Sequence, residues 1–206
     1  MFNVTAVSGV LAALLASTVA TGPSALLDEK IAISVETVNG SGCPAGTANV
    51  STAADNTAFT ITYSDYLAQA GGGARPTDAR KNCQLNLRVQ VPQGLTYAIS
   101  QVDLQGFAHL RRGATGLQVS HYYFTGMSAT AQTSHEFTGP YSDDWRATDR
   151  AATLVYAPCD QQRLLNINTE LRVDAGSADA ESTSFMTMDS TRGSVRSVYH
   201  LSWRQC

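Results

Sequence analysis

The sequence predicts an all-β fold, a single-domain β-sandwich of about ten strands with two disulfides. Three observations indicate this fold. Apolar and polar residues alternate with period two along most of the chain, turn residues separate the alternating runs, and the four cysteines form an even set. The only helix candidate is residues 65–70, which Ser64 would cap and Gly71 would end.

The first three candidate strands have the clearest alternation. In residues 30–38, 58–63 and 83–91, apolar side chains recur at every second position, as in a strand that packs one face on a core. The predicted buried faces are Ile31, Ile33 and Val35; Phe59, Ile61 and Tyr63; and Cys83, Leu85, Leu87, Val89 and Val91. This register puts Cys83 on a buried face, where a structural disulfide is expected.

Seven later segments complete the set of candidate strands. They are residues 97–110, 117–125, 129–138, 151–156, 164–173, 184–188 and 194–203. The turn signals between strands include Pro92-Gln93-Gly94, Arg112-Gly113, Gly139-Pro140 and Thr191-Arg192-Gly193. Many short strands with turns between them are typical of two packed antiparallel sheets.

The N-terminal segment predicts export. Residues 1–25 contain no charged side chain, and residues 7–20 form an apolar run of signal-peptide length. We expect a signal peptide over residues 1–20, cleaved after Ala20 or as late as Ala25, then a short extension over 21–29 and one domain over 30–206. A retained membrane anchor is the alternative, and no later stretch approaches spanning length. The predicted location is extracellular.

The charge of the chain argues against nucleic acid as a partner. The net charge is -3, with only 14 Lys and Arg residues, so no basic patch is expected. The candidate partners are therefore extracellular polysaccharide or another secreted or cell-surface protein, and no membrane is expected after signal cleavage.

The four cysteines predict two structural disulfides. Three connectivities are possible, and we favour Cys43 with Cys83 and Cys159 with Cys206. Each of these pairs closes a loop, and this closure should stabilise the folded state by roughly 4 kcal/mol in the chain-entropy model. No C-x-x-C motif or Cys/His cluster is present, so neither a metal site nor a cofactor is predicted.

Several stretches resemble one family of secreted proteins. They are residues 38–44 (VNGSGCP), 55–59 (DNTAF), 81–87 (KNCQLNL), 166–173 (NINTELRV), 184–189 (SFMTMD) and 203–206 (WRQC). The family is known from actinobacteria and filamentous fungi and is catalogued as domain of unknown function 4360, and the resemblance runs from about Lys30 to Cys206. It implies secretion, but it carries over no activity and no catalytic residue.

The usual catalytic motifs do not occur, and no catalytic residue is predicted. Gly-x-Ser-x-Gly is missing, and Gly139 stands where the second histidine of H-E-x-x-H would follow His135-Glu136. The four histidines, His109, His121, His135 and His200, are scattered over candidate strands. We interpret them as isolated strand residues, since a metal triad would require them to converge in space.

One cluster predicts a ligand-binding site. Tyr141, Asp143, Asp144 and Trp145 follow the Gly139-Pro140 turn, so two carboxylates are flanked by two aromatic rings. Such a loop can present an aromatic platform to a sugar ring or oxygen ligands to calcium, and it can also be an ordinary solvated turn. We expect a shallow surface that contains Trp145.

Three classes of function remain open. The first is a non-catalytic extracellular module that binds polysaccharide or a protein surface. The second is a carbohydrate-active hydrolase or lyase, with Asp143, Asp144, Glu136 and a histidine assembled in space. The third is a structural, inhibitor or effector protein. Whether the chain is an enzyme is left open, with the binding module favoured.

Overall fold

A computed structural model describes residues 30–159, 161–188 and 196–206 of the protein. The predicted signal peptide over 1–20 and the extension over 21–29 lie outside the described residues, as do Asp160 and residues 189–195, which include the start of the last candidate strand. No described helix is long and apolar enough to cross a bilayer.

Twelve strands run through the described ranges. They are β1 (Ala32–Asn39), β2 (Ala48–Thr52), β3 (Ala58–Tyr63), β4 (Leu67–Ala70), β5 (Arg80–Gln90), β6 (Leu95–Leu110), β7 (Thr115–Phe124), β8 (Thr130–Thr138), β9 (Tyr141–Arg150), β10 (Leu165–Asp174), β11 (Ser184–Thr187) and β12 (Ser197–Gln205). A 3₁₀ turn, Pro76–Asp78, precedes β5. The predicted all-β class is confirmed.

The strands form two antiparallel sheets. The five-stranded sheet has the order β1-β5-β10-β7-β8. The seven-stranded sheet has the order β2-β3-β12-β6-β11-β4, with β9 paired to β6. Because β9 pairs with β6 at the positions where β12 and β11 also pair with it, β9 lies on the opposite edge of β6. Both β8 and β9 are therefore edge strands.

The core lies between the two sheets and consists of the inward side chains of both. The largest fully buried side chains include Trp145, Tyr63, Tyr66, Tyr199, Phe59, Leu85, Leu104 and Ile167. The cysteines pair as Cys43–Cys83 and Cys159–Cys206, the connectivity that the sequence favours, with Cα atoms 5.3 and 5.7 Å apart. Cys83 is buried in the core, as the alternation of β5 predicts.

Two element predictions are wrong. Residues 65–70 do not form a helix, because β4 pairs with β11 and buries Ala68, and this pairing outweighs a helix of one or two turns. Residues 151–156 are not a strand of either sheet, apart from a bridge between Tyr156 and Ala98. The strand lies just before them, as β9, where the sequence analysis predicts a loop.

Candidate functional site

The predicted ligand cluster lies where the chain passes from one sheet to the other. It leaves β8 at the edge of the five-stranded sheet, turns through a cis Gly139-Pro140 peptide, and enters β9 at the edge of the seven-stranded sheet. A Cβ atom on Gly139 would lie 2.0 Å from the carbonyl oxygen of Arg111, so only glycine fits this turn.

Strand geometry separates the four predicted ligand residues. Because successive side chains of a strand point to opposite faces, Asp143 and Asp144 lie on opposite sides of β9. Tyr141, Asp143 and Trp145 share the inner side, and Asp144 lies on the outer side. The two carboxylates therefore do not act as one calcium-binding pair, and ligand binding by Tyr141, Asp143 or Asp144 individually stays a prediction.

The expectation of a surface that contains Trp145 is wrong. Trp145 is only 2% exposed. Its ring lies over Gly106, where an added Cβ atom would be 2.3 Å from the indole. The centroids of the Trp145 and Phe137 rings are 5.4 Å apart. Phe137 also packs 6.0 Å from Tyr141, whose hydroxyl donates to the carbonyl of Asp144 at 3.0 Å. We call Phe137, Tyr141 and Trp145 the inner aromatic cluster.

The carboxylates proposed for acid–base chemistry are also kept apart. Glu136 lies on the outward face of β8, opposite Leu117, while Phe137 next to it packs on the core. Asp143 and Asp144 lie on the other sheet. Within the described ranges, no three His, Cys, Asp or Glu side chains form a group that could hold a metal ion.

Three of the histidines make separate polar contacts. His135 Nε2 lies 3.0 Å from Asp149, which joins the edges of the two sheets. His200 Nε2 lies 2.7 Å from Asp103, on the outer face of the seven-stranded sheet. His109 Nδ1 lies 2.9 Å from Ser142 Oγ.

A second set of rings lies on the outer face of the seven-stranded sheet. Phe107 and His109 on β6 and Phe185 on β11 are half-buried. The Phe185 ring is 5.9 Å from Phe107 and 5.6 Å from His109, with interplanar angles of 33° and 32°. We call these three side chains the outer aromatic platform. No strand in the described part of the chain packs over it.

Alternation explains why these rings point outward. Within β6, Leu104, Ala108 and Leu110 are buried, so Phe107 and His109 occupy the opposite face. Ser184 and Met186 are buried in the same way, which turns Phe185 outward. This platform is not among the predicted sites. The alternation within residues 97–110 and 184–188 is the signal that places Phe107 and His109, and separately Phe185, on outward faces.

Polar side chains surround the platform. The sheet register gives two rows across β4, β11, β6 and β9. The first row is Gln69, Phe185, His109 and Ser142, and the second is Leu67, Thr187, Phe107 and Asp144. An amide, a hydroxyl and a carboxylate therefore lie beside the rings, and Leu67 extends the apolar surface with 39% of its area exposed.

An open depression of about 710 Å³ adjoins the platform. His109 of the platform lines the depression, and so does Ser142, which is paired with His109 on the neighbouring strand. The other residues that line the depression are Leu110, Arg111, Arg112, Pro140, Tyr141, Asp179 and Ser182. Of the four predicted ligand residues, Tyr141 is the one that reaches this depression.

The outward face of the five-stranded sheet differs in chemistry. A depression of about 490 Å³ there is lined mainly by polar residues, and Arg80 and Arg172 both pair with Glu170. Burial raises the pKa of Glu170, but hydrogen bonds from the two arginines outweigh it, so this pKa lies below its usual range. The carboxylate is thus fully engaged by its neighbours.

The chain is similar in sequence to one protein family and to a fungal protein. A family model described as a domain of unknown function (DUF4360) matches residues 29–206. An uncharacterized secreted protein of Arthroderma benhamiae is 34% identical over 180 residues, which cover 86% of this chain and 73% of that protein.

One solved structure gives a weak match. It is the enzymatically active domain of tailspike protein 4 from bacteriophage CBA120, at a TM-score of 0.27 and 11% identity, and the match covers 82% of this chain but only 19% of the phage chain. A likeness of this size supports no functional conclusion.

Proposed function

The chain belongs to the DUF4360 family, and we propose that this secreted, disulfide-bonded β-sandwich is a non-catalytic module that binds polysaccharide outside the cell. The observation that carries the proposal is the outer aromatic platform. Three neighbouring rings with polar groups beside them form the kind of surface on which a sugar ring can stack.

A sugar ring has an apolar face and a polar rim. The apolar face can stack on Phe185 and His109, while hydroxyl groups at the rim exchange hydrogen bonds with side chains such as Ser142 and Asp144. A cross-strand aromatic pair stabilises a sheet, but a half-exposed ring also leaves apolar area that a partner can bury. The grouping of these rings on one face therefore supports a binding role.

The open shape of the site supports binding rather than catalysis. The platform lies on the outer face of a sheet, and the three carboxylates considered for acid–base chemistry lie on two different sheets. A glycosidase requires two carboxylates that face each other across the scissile bond. Of these three carboxylates, only that of Asp144 lies on the sheet face that carries the platform.

The test is a binding screen with a matched pair of variants. We expect the purified protein to bind at least one polysaccharide in an array, and Phe185→Ala to lower the affinity about tenfold, which corresponds to roughly 1.4 kcal/mol. Tyr123→Ala is the matched control, because Tyr123 is a half-buried aromatic residue on β7 of the other sheet. We expect it to leave the affinity within twofold.

Two outcomes would contradict the proposal. If no polysaccharide binds, the platform does not recognise sugars, and capture of a purified secreted protein by the same face would favour the protein-binding alternative. If polysaccharide binds equally well to Phe185→Ala, the binding surface lies elsewhere. Circular dichroism and thermal unfolding of both variants would show that the sandwich is intact.

A further inference from the structure

The depression next to the platform is lined by two arginine residues that have no ionic partner among the described residues. Arg111 and Arg112 form the turn between β6 and β7 and are exposed. The described residues place no carboxylate within 4.0 Å of either guanidinium, whereas Arg80, Arg88 and Arg172 are each paired with a glutamate.

The charge of this depression is opposite in sign to that of the whole chain. Its lining residues include two arginines and one acidic residue, Asp179, so their summed formal charge is positive while the chain carries -3. One oxygen of Asp179 already accepts the backbone N–H of Glu181 at 3.0 Å. Asp143 and Asp144 lie near Tyr141 at one side of the depression, but among its lining residues the two arginines outnumber the single acidic residue.

The backbone holds this turn in place. The N–H of Arg111 donates to Ser184 Oγ at 3.0 Å, and its carbonyl accepts the N–H of Ala114 at 3.0 Å. Gly113, with φ of 86°, is packed against Ser177. The arginine side chains thus project from a fixed turn, which lowers the entropic cost of binding an anion.

We propose that the depression binds an anionic substituent of the polysaccharide, so that the protein prefers acidic over neutral chains. This inference rests on the proposed function, because the platform holds the sugar rings whose substituent reaches Arg111 and Arg112. The arginine fork suits two anions found on polysaccharides, the carboxylate of a uronic acid and a sulfate ester. His109 is two positions before Arg111, a separation of about 7 Å along an extended chain, so one sugar chain can contact both.

The experiment compares polymers that differ only in charge. Polygalacturonate is compared with its methyl ester, and dextran sulfate with dextran, for binding at low and at physiological salt. We expect at least one acidic polymer to bind about tenfold more tightly than its neutral partner, and added salt to reduce this difference. The pair that shows the difference identifies the anion as carboxylate or sulfate.

Matched variants locate the effect. The double variant Arg111→Gln/Arg112→Gln should lose the preference for the acidic polymer and keep its affinity for the neutral one. The control is Arg146→Gln/Arg150→Gln, which removes the same charge from exposed positions of β9 that do not line the depression. It should retain most of the preference.

The outcomes separate this inference from the proposed function. If neutral and acidic polymers bind equally and Phe185→Ala weakens both, the polysaccharide module stands and the anion site is wrong. If the control double variant removes the preference as completely as Arg111→Gln/Arg112→Gln, the effect is one of net charge and the depression has no special role. If no polymer binds, both proposals fail.

Discussion

The inner aromatic cluster and the outer aromatic platform lie on opposite sides of the same pair of strands, β6 and β9. On the inner side, Trp145 is 2% exposed and Phe137 of the facing sheet packs against it. On the outer side, Phe107 and His109 of β6 remain half-exposed beside Phe185 of β11. Trp145 is paired with Gly106, and Phe107 is the next residue of β6. Neighbouring positions of the sheet therefore carry rings with different roles.

The difference shows that the facing sheet decides which aromatic residues are available to a ligand. Inside the sandwich, β8 supplies Phe137 as a cover, so the ring of Trp145 contributes to the core. Outside, no strand of the described part of the chain packs over Phe185 and His109, so these two rings stay half-exposed. Variants on the two sides should therefore separate stability from binding.

The largest effect is expected for Trp145→Ala. Removing this buried ring leaves a cavity between the sheets and should lower the free energy of unfolding by about 3 to 5 kcal/mol, measured by urea denaturation. At a temperature where the variant is folded, its affinity for polysaccharide should stay within a few fold of the parent protein. A tenfold loss of affinity in a fully folded variant would show that the inner cluster takes part in binding.

Trp145→Phe sharpens this test. The indole Nε1 is a buried donor with no hydrogen-bond partner in the described ranges, so phenylalanine keeps most of the apolar contact and removes an unsatisfied group. We expect it to cost much less stability than the alanine variant. Equal losses for the two variants would mean that a phenyl ring cannot replace the contacts of the larger indole ring in this part of the core.

A smaller effect is expected for Gly106→Ala, at the position that separates the two aromatic sets. The added methyl group would lie 2.2 Å from the carbonyl oxygen of Thr187 and 2.3 Å from the Trp145 ring. The resulting shift should cost about 1 to 3 kcal/mol of unfolding free energy. Gln105→Ala, at the neighbouring outward position, should stay within about 0.5 kcal/mol. Similar losses of stability for both variants would mean that Gly106 is not closely packed against Thr187 and Trp145.

Alternation predicted the central strands well because a sheet that packs on a core buries every second residue. The predicted strand over residues 58–63 has the same bounds as β3. The predicted bounds of β5, β6, β7 and β10 lie within three residues of the observed ones. The prediction failed for β9, because Asp143 and Asp149 occupy inward positions and interrupt the alternation, whereas β8, also an edge strand, keeps it. Only Trp145 is fully buried there, and a strand with one buried residue resembles a polar loop.

The candidate site was harder to predict than the fold. Sequence order places Tyr141, Asp143, Asp144 and Trp145 together, but only the pairing of β9 with β6 shows which of them face the core. The outer aromatic platform depends on β11 lying beside β6, and these strands are far apart in the chain. Local patterns carry no information about such a neighbour, so Phe185 and His109 could not be joined from sequence.

The smallest effect is expected for Tyr141→Phe, at the boundary between the two aromatic sets. Tyr141 belongs to the inner aromatic cluster, yet it also lines the depression beside the platform. The change removes the hydrogen bond to the Asp144 carbonyl and should cost about 0.5 to 1.5 kcal/mol of unfolding free energy, measured by urea denaturation. Because that hydroxyl is engaged by the backbone, polysaccharide affinity should change less than twofold. A tenfold loss would place Tyr141 among the ligand contacts, and the division between a stabilising and a binding side would then fail at this residue.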